Sequence, residues 1–135
     1  MKAPPFLAPL LKGDVARSVL VDQRGRTVAS RLHAAFDSRS RKRGLLGRDG
    51  FPEGEAIVIA PCNAVHMFFM RFAIDVVHLD RSGRVRKVTS HLRPWHVDVC
   101  WRGFAVIELA AGTAQRFGLS VGDTLAVVPF SADAA

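Results

Sequence analysis

Two histidines, two carboxylates and an arginine stand inside the most apolar stretch of this 135-residue chain, His66 to Asp80. His66, Arg71, Asp75, His78 and Asp80 are residue types that move protons, hold anions or ligate metals. Burying such groups without partners costs ~2–7 kcal/mol each. The block is therefore either a self-satisfied network or the wall of a site.

Alternate side chains of an extended segment share a face. Asp75, Val77 and Leu79 then lie on one face, and Ile74, Val76, His78 and Asp80 on the other. His66, Phe68 and Met70 would lie together. Asp75, set among aliphatic residues, needs a partner, and Arg71 or His66 is near enough in sequence to serve. One reading is an internal ion pair that pins an irregular turn. The other is a carboxylate lining a pocket, with its pKa shifted for acid or base work. Glu108 repeats the pattern beside Phe104 and Val106. It lies at the strand end in solvent, caps a backbone group near Ala111-Gly112, or joins a site. Asp75 and Glu108 together would suit a two-carboxylate hydrolase, but the sequence sets no distance between them.

Metal ligation fits less well. Cys62-x-x-x-His66 and His91-x-x-x-x-His96 are the nearest approaches to ligand pairs, and zinc sites require three or four ligands in compact groups. We expect no structural zinc and no cofactor. Cys62 with His66 has the composition of a thiol nucleophile and its base, against the plainer reading of a buried inert thiol. Phosphate-binding loops of the Walker or Rossmann kind and the Gly-x-Ser-x-Gly elbow are absent.

The elements that must position these residues are short and mostly extended. Ser18–Val21 and Arg26–Ala29 read as strands joined by the turn Asp22-Gln23-Arg24-Gly25. Residues 31–36 fit strand or helix. Asp37 or Ser38 caps a helix reaching about Leu46. Ala56–Ile59 is a continuous β-branched run. The His66 block reads as two extended pieces with an irregular middle near Arg71. Asp80-Arg81-Ser82-Gly83 turns back into Val85–Thr89. Arg93–His96 is a loop, and residues 104–109 and 124–128 are strands. Ala111–Phe117 gives one or two helical turns, ended by Gly118. The expected fold is mainly β: a single compact β-barrel or sandwich-like domain with one or two short helices. An N-terminal arm (1–14) precedes the domain (15–130), and a tail (131–135) follows.

Composition bounds the function. A 49% hydrophobic fraction excludes a disordered chain, and no apolar run approaches the ~20 residues of a membrane-spanning helix. The start is apolar but broken by Pro4, Pro5 and Pro9, so it does not read as a secretory signal. Two cysteines without a Cys-x-x-Cys pair suit a reducing, cytoplasmic setting, with both thiols buried and reduced. The formal net charge is +7. Basic residues cluster at Arg39, Arg41, Lys42, Arg43 and Arg48, enough for weak phosphate contacts. No aromatics interleave with them for base stacking, and a solvated helix face is the simpler reading.

Several motifs in order resemble a bacterial and archaeal family, domain of unknown function 192 (uncharacterised protein family 0127). They are Arg43-Gly44-Leu45-Leu46-Gly47-Arg48, Pro61-Cys62-Asn63 with His66, Phe69-Met70-Arg71-Phe72 and Ile74–Asp80. Pro94-Trp95, Val106–Gly112 and Gly118–Asp123 complete the series, so the resemblance runs from about Val28 to Val128. Ala73 stands where the family pattern has proline, and Met67 where a small polar residue is common. The resemblance implies a compact, mostly β domain and no particular reaction.

The leading expectation is a soluble domain that binds a small ligand or protein partner at the His66–Asp75 block. Asn63, His66, Met70, Arg71, Asp75, Trp95 and Glu108 would line the site. Arg71 would hold an anionic group, His66 and Asp75 would orient it, and Trp95 would supply an apolar wall. The alternatives are a hydrolase using His66 with Asp75 or Glu108, and weak nucleic-acid association through Arg39–Arg48.

Overall fold

The computed structural model describes residues 5–7, 17–35 and 49–130. The rest of the expected arm, the helix expected over 37–46 with its basic run, and the tail lie outside the described residues.

Among the described residues the fold is mainly β and sandwich-like, without a closed barrel. The central layer is a five-stranded sheet in the order β3-β4-β9-β6-β7. Its members are β3 (Arg31–Ala35), β4 (Glu55–Ile59), β6 (Ile74–Leu79), β7 (Val85–Leu92) and β9 (Ala105–Ala110). Only β3 and β4 run parallel; the other neighbours are antiparallel. A three-stranded sheet of β10 (Leu125–Pro129), β1 (Ser18–Asp22) and β2 (Thr27–Ala29) supplies a second layer. A two-stranded ribbon joins β5 (Ala64–His66) to β8 (Val97–Val99).

Strands β4, β6 and β9 are buried along their whole length, which explains their continuous apolar runs: both sheet faces are covered. Val77, Leu79, Ile107, Leu109 and Val58 pack on Leu20, Val28, Leu125 and Val127 of the three-stranded sheet. On the other face Ile57, Ile59, Val76 and Val106 pack on Val65 of the ribbon and on Met67 and Met70. The register therefore assigns Ile74 and Val76 to one core and Val77 and Leu79 to the other. The turn at Gly83 is fixed by space as well as by its φ of 85°. A Cβ there would lie 2.7 Å from the Leu125 carbonyl oxygen.

Most expected elements are present. Residues 31–35 resolve as a strand, because their partner β4 offers a free edge. Among the described residues the one α-helix, α1, spans Thr113–Arg116, and Gly118 follows it at φ 62°. β8 was not anticipated; three residues pairing only with the equally short β5 carry little periodic signal. One facing relation is corrected. β5 ends at His66, so strict alternation stops there. Met67 and Met70 turn inward while Phe68 and Phe69 turn out.

Candidate functional site

Asp75 is wholly buried, and its partners are backbone groups. Its Oδ1 accepts the His91 N–H at 2.9 Å. Its Oδ2 accepts the N–H groups of Gly112 at 3.0 Å and Ala114 at 2.9 Å. The carboxylate thus caps α1 and fixes β7 where His91 adopts a left-handed φ of 54°. This corrects the expected pairing with Arg71 or His66. Arg71 instead meets Asp49 at 3.1 Å on the surface, and the His91 imidazole stands 4.0 Å from Asp75.

Glu108 is also fully buried, but it does not share a cavity wall with Asp75. Asp75 pairs with Leu109 across the β6–β9 ladder, and Glu108 with Val76. Directly paired residues project to the same face, so the two carboxylates lie on opposite sides of the sheet. A two-carboxylate hydrolase built on them is excluded by this register.

The remaining expected residues gather around the ribbon. Asn63 is exposed and its carbonyl accepts the Cys100 N–H at 2.8 Å. His66 is half-buried and stacks on Phe68, ring centroids 4.7 Å apart. Met70 is buried beneath. Trp95 is 57% exposed and Phe69 70%, with ring centroids 4.8 Å apart. The ring centroids of Phe68 and Trp95 are 6.0 Å apart. Together His66, Phe68, Phe69 and Trp95 form an outward aromatic shelf. Its frame is a set of short backbone bonds: the Trp95 N–H to the Met67 carbonyl at 2.7 Å, and the Met67 N–H to the His96 carbonyl at 2.8 Å. Phe69 and Trp95 hold φ of 67° and 69°, a region that costs a residue with a Cβ ~1–2 kcal/mol.

Sequence reasoning missed the polar group under the ribbon. Val65 and Asp98 point inward from the paired strands, and both are buried. The Asp98 Oδ2 lies 2.7 Å from the Nε2 of the wholly buried His78. Its Oδ1 accepts Thr89 Oγ1–H at 3.0 Å and meets Lys87 Nζ at 2.9 Å. Burial pushes the Asp98 carboxyl upward, but the bonds from Lys87, His78 and Thr89 outweigh it and hold the pKa below the usual range. Burial lowers the His78 pKa, and the neighbouring carboxylate only partly restores it. A neutral ring beside an ionised acceptor must carry its proton on Nε2. The signal in the sequence was Val97-Asp98-Val99, an acid alternating with valines as Asp75 does.

Cys62 and Cys100 are not joined in a disulfide and are half-buried, more open than expected. Among the described residues no group of three or more His, Cys, Asp or Glu is arranged to hold an ion, and no helix is long and apolar enough to cross a membrane. Two clefts among the described residues are lined by residues outside the shelf. One of about 350 Å³ is lined by Arg24, Arg26, Arg116 and Phe117. An open groove of about 520 Å³ runs past Arg81, Trp101, Gly103 and Phe104.

The chain belongs to the domain of unknown function 192 family, described as uncharacterized ACR, whose model matches residues 19–127. No curated protein matches it. Two solved structures share the fold. A putative transcription regulator from Sinorhizobium meliloti 1021 is 23% identical, with a TM-score of 0.66 over 80% of this chain and 89% of that one. A protein of unknown function from Novosphingobium aromaticivorans DSM 12444 is 20% identical, with a TM-score of 0.67 over 80% and 81%. At these identities the likeness concerns the fold alone.

Proposed function

We propose that this member of the domain of unknown function 192 family is a binding domain that takes an apolar segment of a protein partner on the aromatic shelf. The observation that carries the reading is the left-handed backbone at Phe69 and Trp95, spent on side chains that point into solvent. Strain retained at exposed aromatics gains nothing for the core and suits a preformed recognition surface. Aromatic anchors with an arginine rim dominate such interfaces. Arg71 and Arg93, both exposed, follow Phe69 and precede Trp95 by two residues. They favour acidic residues flanking the apolar anchor. The shelf is open, which favours a peptide segment over an engulfed small molecule.

Peptide selection by phage display tests this on the wild-type protein and on Phe69→Ser and Trp95→Ser variants. We expect convergent peptides with an aromatic or aliphatic centre and acidic flanks, binding each variant at least tenfold more weakly by calorimetry. Absence of convergence, or equal binding to all three proteins, overturns the proposal. A metabolite that raises the wild-type Tm but not that of Trp95→Ser replaces it with the small-ligand reading.

A further inference from the structure

We propose that the cleft between the β1–β2 turn and the end of α1 binds the phosphate group of a small phosphate monoester, with Arg24, Arg26 and Arg116 as its cationic wall. The cleft measures about 350 Å³, a size at which small-molecule sites begin. The turn builds one side of it. Asp22 is buried, and its Oδ1 accepts the N–H groups of Arg24 at 3.0 Å and Arg26 at 2.9 Å. Its Oδ2 accepts the Arg26 Nε–H at 2.7 Å, and Arg26 Nη2 donates to the Phe117 carbonyl at 2.9 Å. The guanidinium is therefore held at two points before any ligand arrives, and its Nη1 hydrogens have no acceptor among the described residues. A fork fixed in this way loses little freedom when it takes an oxyanion, whose geometry it matches.

A purely structural role accounts for Arg26 only, which ties the turn to the end of the helix. The Arg24 side chain makes no hydrogen bond or ion pair among the described residues. Arg116 meets Glu53 at 3.3 Å, with both side chains largely exposed, a pairing that solvent screens. The Arg26 and Arg116 guanidinium carbons each stand 5.4 Å from the centroid of the Phe117 ring. Like charges gathered on one cavity repel one another and add nothing to the fold. The two carboxylates of the lining do not neutralise them, because both are engaged locally. Asp22 is bonded to its own turn, and Asp123 accepts the Ser120 N–H at 2.9 Å and Gln23 Nε2–H at 3.4 Å.

The charge decides the class of anion. A phosphate monoester carries about −1.5 to −2 at pH 7 and presents three acceptor oxygens, which suits three guanidiniums better than a lone carboxylate does. The space continues beyond the anion. Arg116 and Phe117 also line a second recess of about 120 Å³, beside Ser30 and Glu53. The Ser30 hydroxyl and the Glu53 carboxylate there give hydrogen-bond partners to the hydroxyl groups of the ester's body. The aromatic shelf contributes no residue to either recess, so this site is independent of the peptide surface.

Glucose 6-phosphate and the intact protein supply the test, in a titration followed by amide NMR at ~0.15 M salt, where diffuse attraction is screened. The signals of Arg24, Arg26 and residues 115–119 should move together and saturate, and glucose should leave them in place. Arg26→Gln also breaks the bonds to Asp22 and Phe117, so Arg24→Gln and Arg116→Gln carry the test. Each should weaken binding at least tenfold, and Arg24→Gln should leave the Tm unchanged. Arg102→Gln removes the same charge from the other groove and should change the affinity less than twofold. Equal weakening by Arg24→Gln and Arg102→Gln would reduce the effect to general attraction toward a chain of net charge +7 and overturn the proposal. Shifts that do not saturate, or that glucose reproduces, overturn it too. Citrate, or an oligonucleotide without a terminal phosphate, binding this cleft more tightly than glucose 6-phosphate would overturn it in favour of a carboxylate or a phosphodiester.

Discussion

Replacing Asp75 by Asn tests whether one buried carboxylate holds three elements together. The native group receives three backbone N–H bonds at 2.9–3.0 Å, from His91 of β7 and from Gly112 and Ala114 at the start of α1. All three partners are donors, so the site requires an acceptor on both oxygens. An asparagine supplies one oxygen and one NH2. If the oxygen faces Gly112 and Ala114, the amide nitrogen confronts the His91 N–H; in the flipped orientation two donors are lost. Hydrogen bonds to a charged group contribute ~1.5–3 kcal/mol each. The favoured orientation loses one of them and weakens two, and the site has no exposure to let water in. The expected loss is about 3 kcal/mol, which for a chain of this length is a Tm decrease of ~10 °C. Urea unfolding followed by circular dichroism should give a lower midpoint at unchanged slope. A midpoint within error of wild type would refute the reasoning, because three donors would then be tolerating a mismatched partner at no cost.

Two further outcomes follow from the same structure. Stability should fall with pH in two steps: His78, whose folded pKa is lowered by burial, lets the unfolded chain bind the extra proton as pH drops below about 6.5, and the lowered carboxylates of Asp22, Asp80 and Asp98 lose their contribution below about 4. Urea midpoints across pH 3–8 measure both steps, and a His78→Gln variant that keeps the upper step would count against the assignment. Phe69→Gly should raise stability by ~0.5–1 kcal/mol, since relief of the left-handed backbone exceeds glycine's added unfolded-state entropy, while removing peptide binding; a loss of stability would show that the ring contributes to the core.

The extent to which the sequence was legible follows from the kind of contact each residue makes. Alternation assigned Asp75, Val77 and Leu79 to one face and Val76 and His78 to the other, and the ladder with β9 bears this out. Local turn chemistry likewise marked Asp80–Gly83 and Gly118. The partners of Asp75 were not legible, because backbone N–H groups carry no residue identity and two of them stand 37 and 39 residues away. The separation of Asp75 from Glu108 depends on a one-residue offset in strand register, and register is invisible until two strands are paired. The outward turn of Phe68 and Phe69 was not legible, because an apolar side chain carries no mark of exposure. Only the backbone reversal after His66 turns them outward.

The ribbon of β5 and β8 carries the proposed recognition surface. Two three-residue strands are too short to hold their own geometry in water, so the shelf they carry must be positioned from beneath. Val65, Met67 and Met70 supply apolar contact, but such contact is non-directional and does not fix the orientation of Trp95. Direction comes from Asp98, which is bonded to three side chains of the central sheet: His78 on β6, and Lys87 and Thr89 on β7. The same carboxylate orients the buried His78 ring through its Nε2. Asp98 therefore governs the aromatic shelf through the strand it belongs to, and ties that strand to the central sheet through the imidazole it holds. Because its pKa is kept low by those same bonds, this tie between ribbon and sheet persists across neutral pH and is lost only in acid.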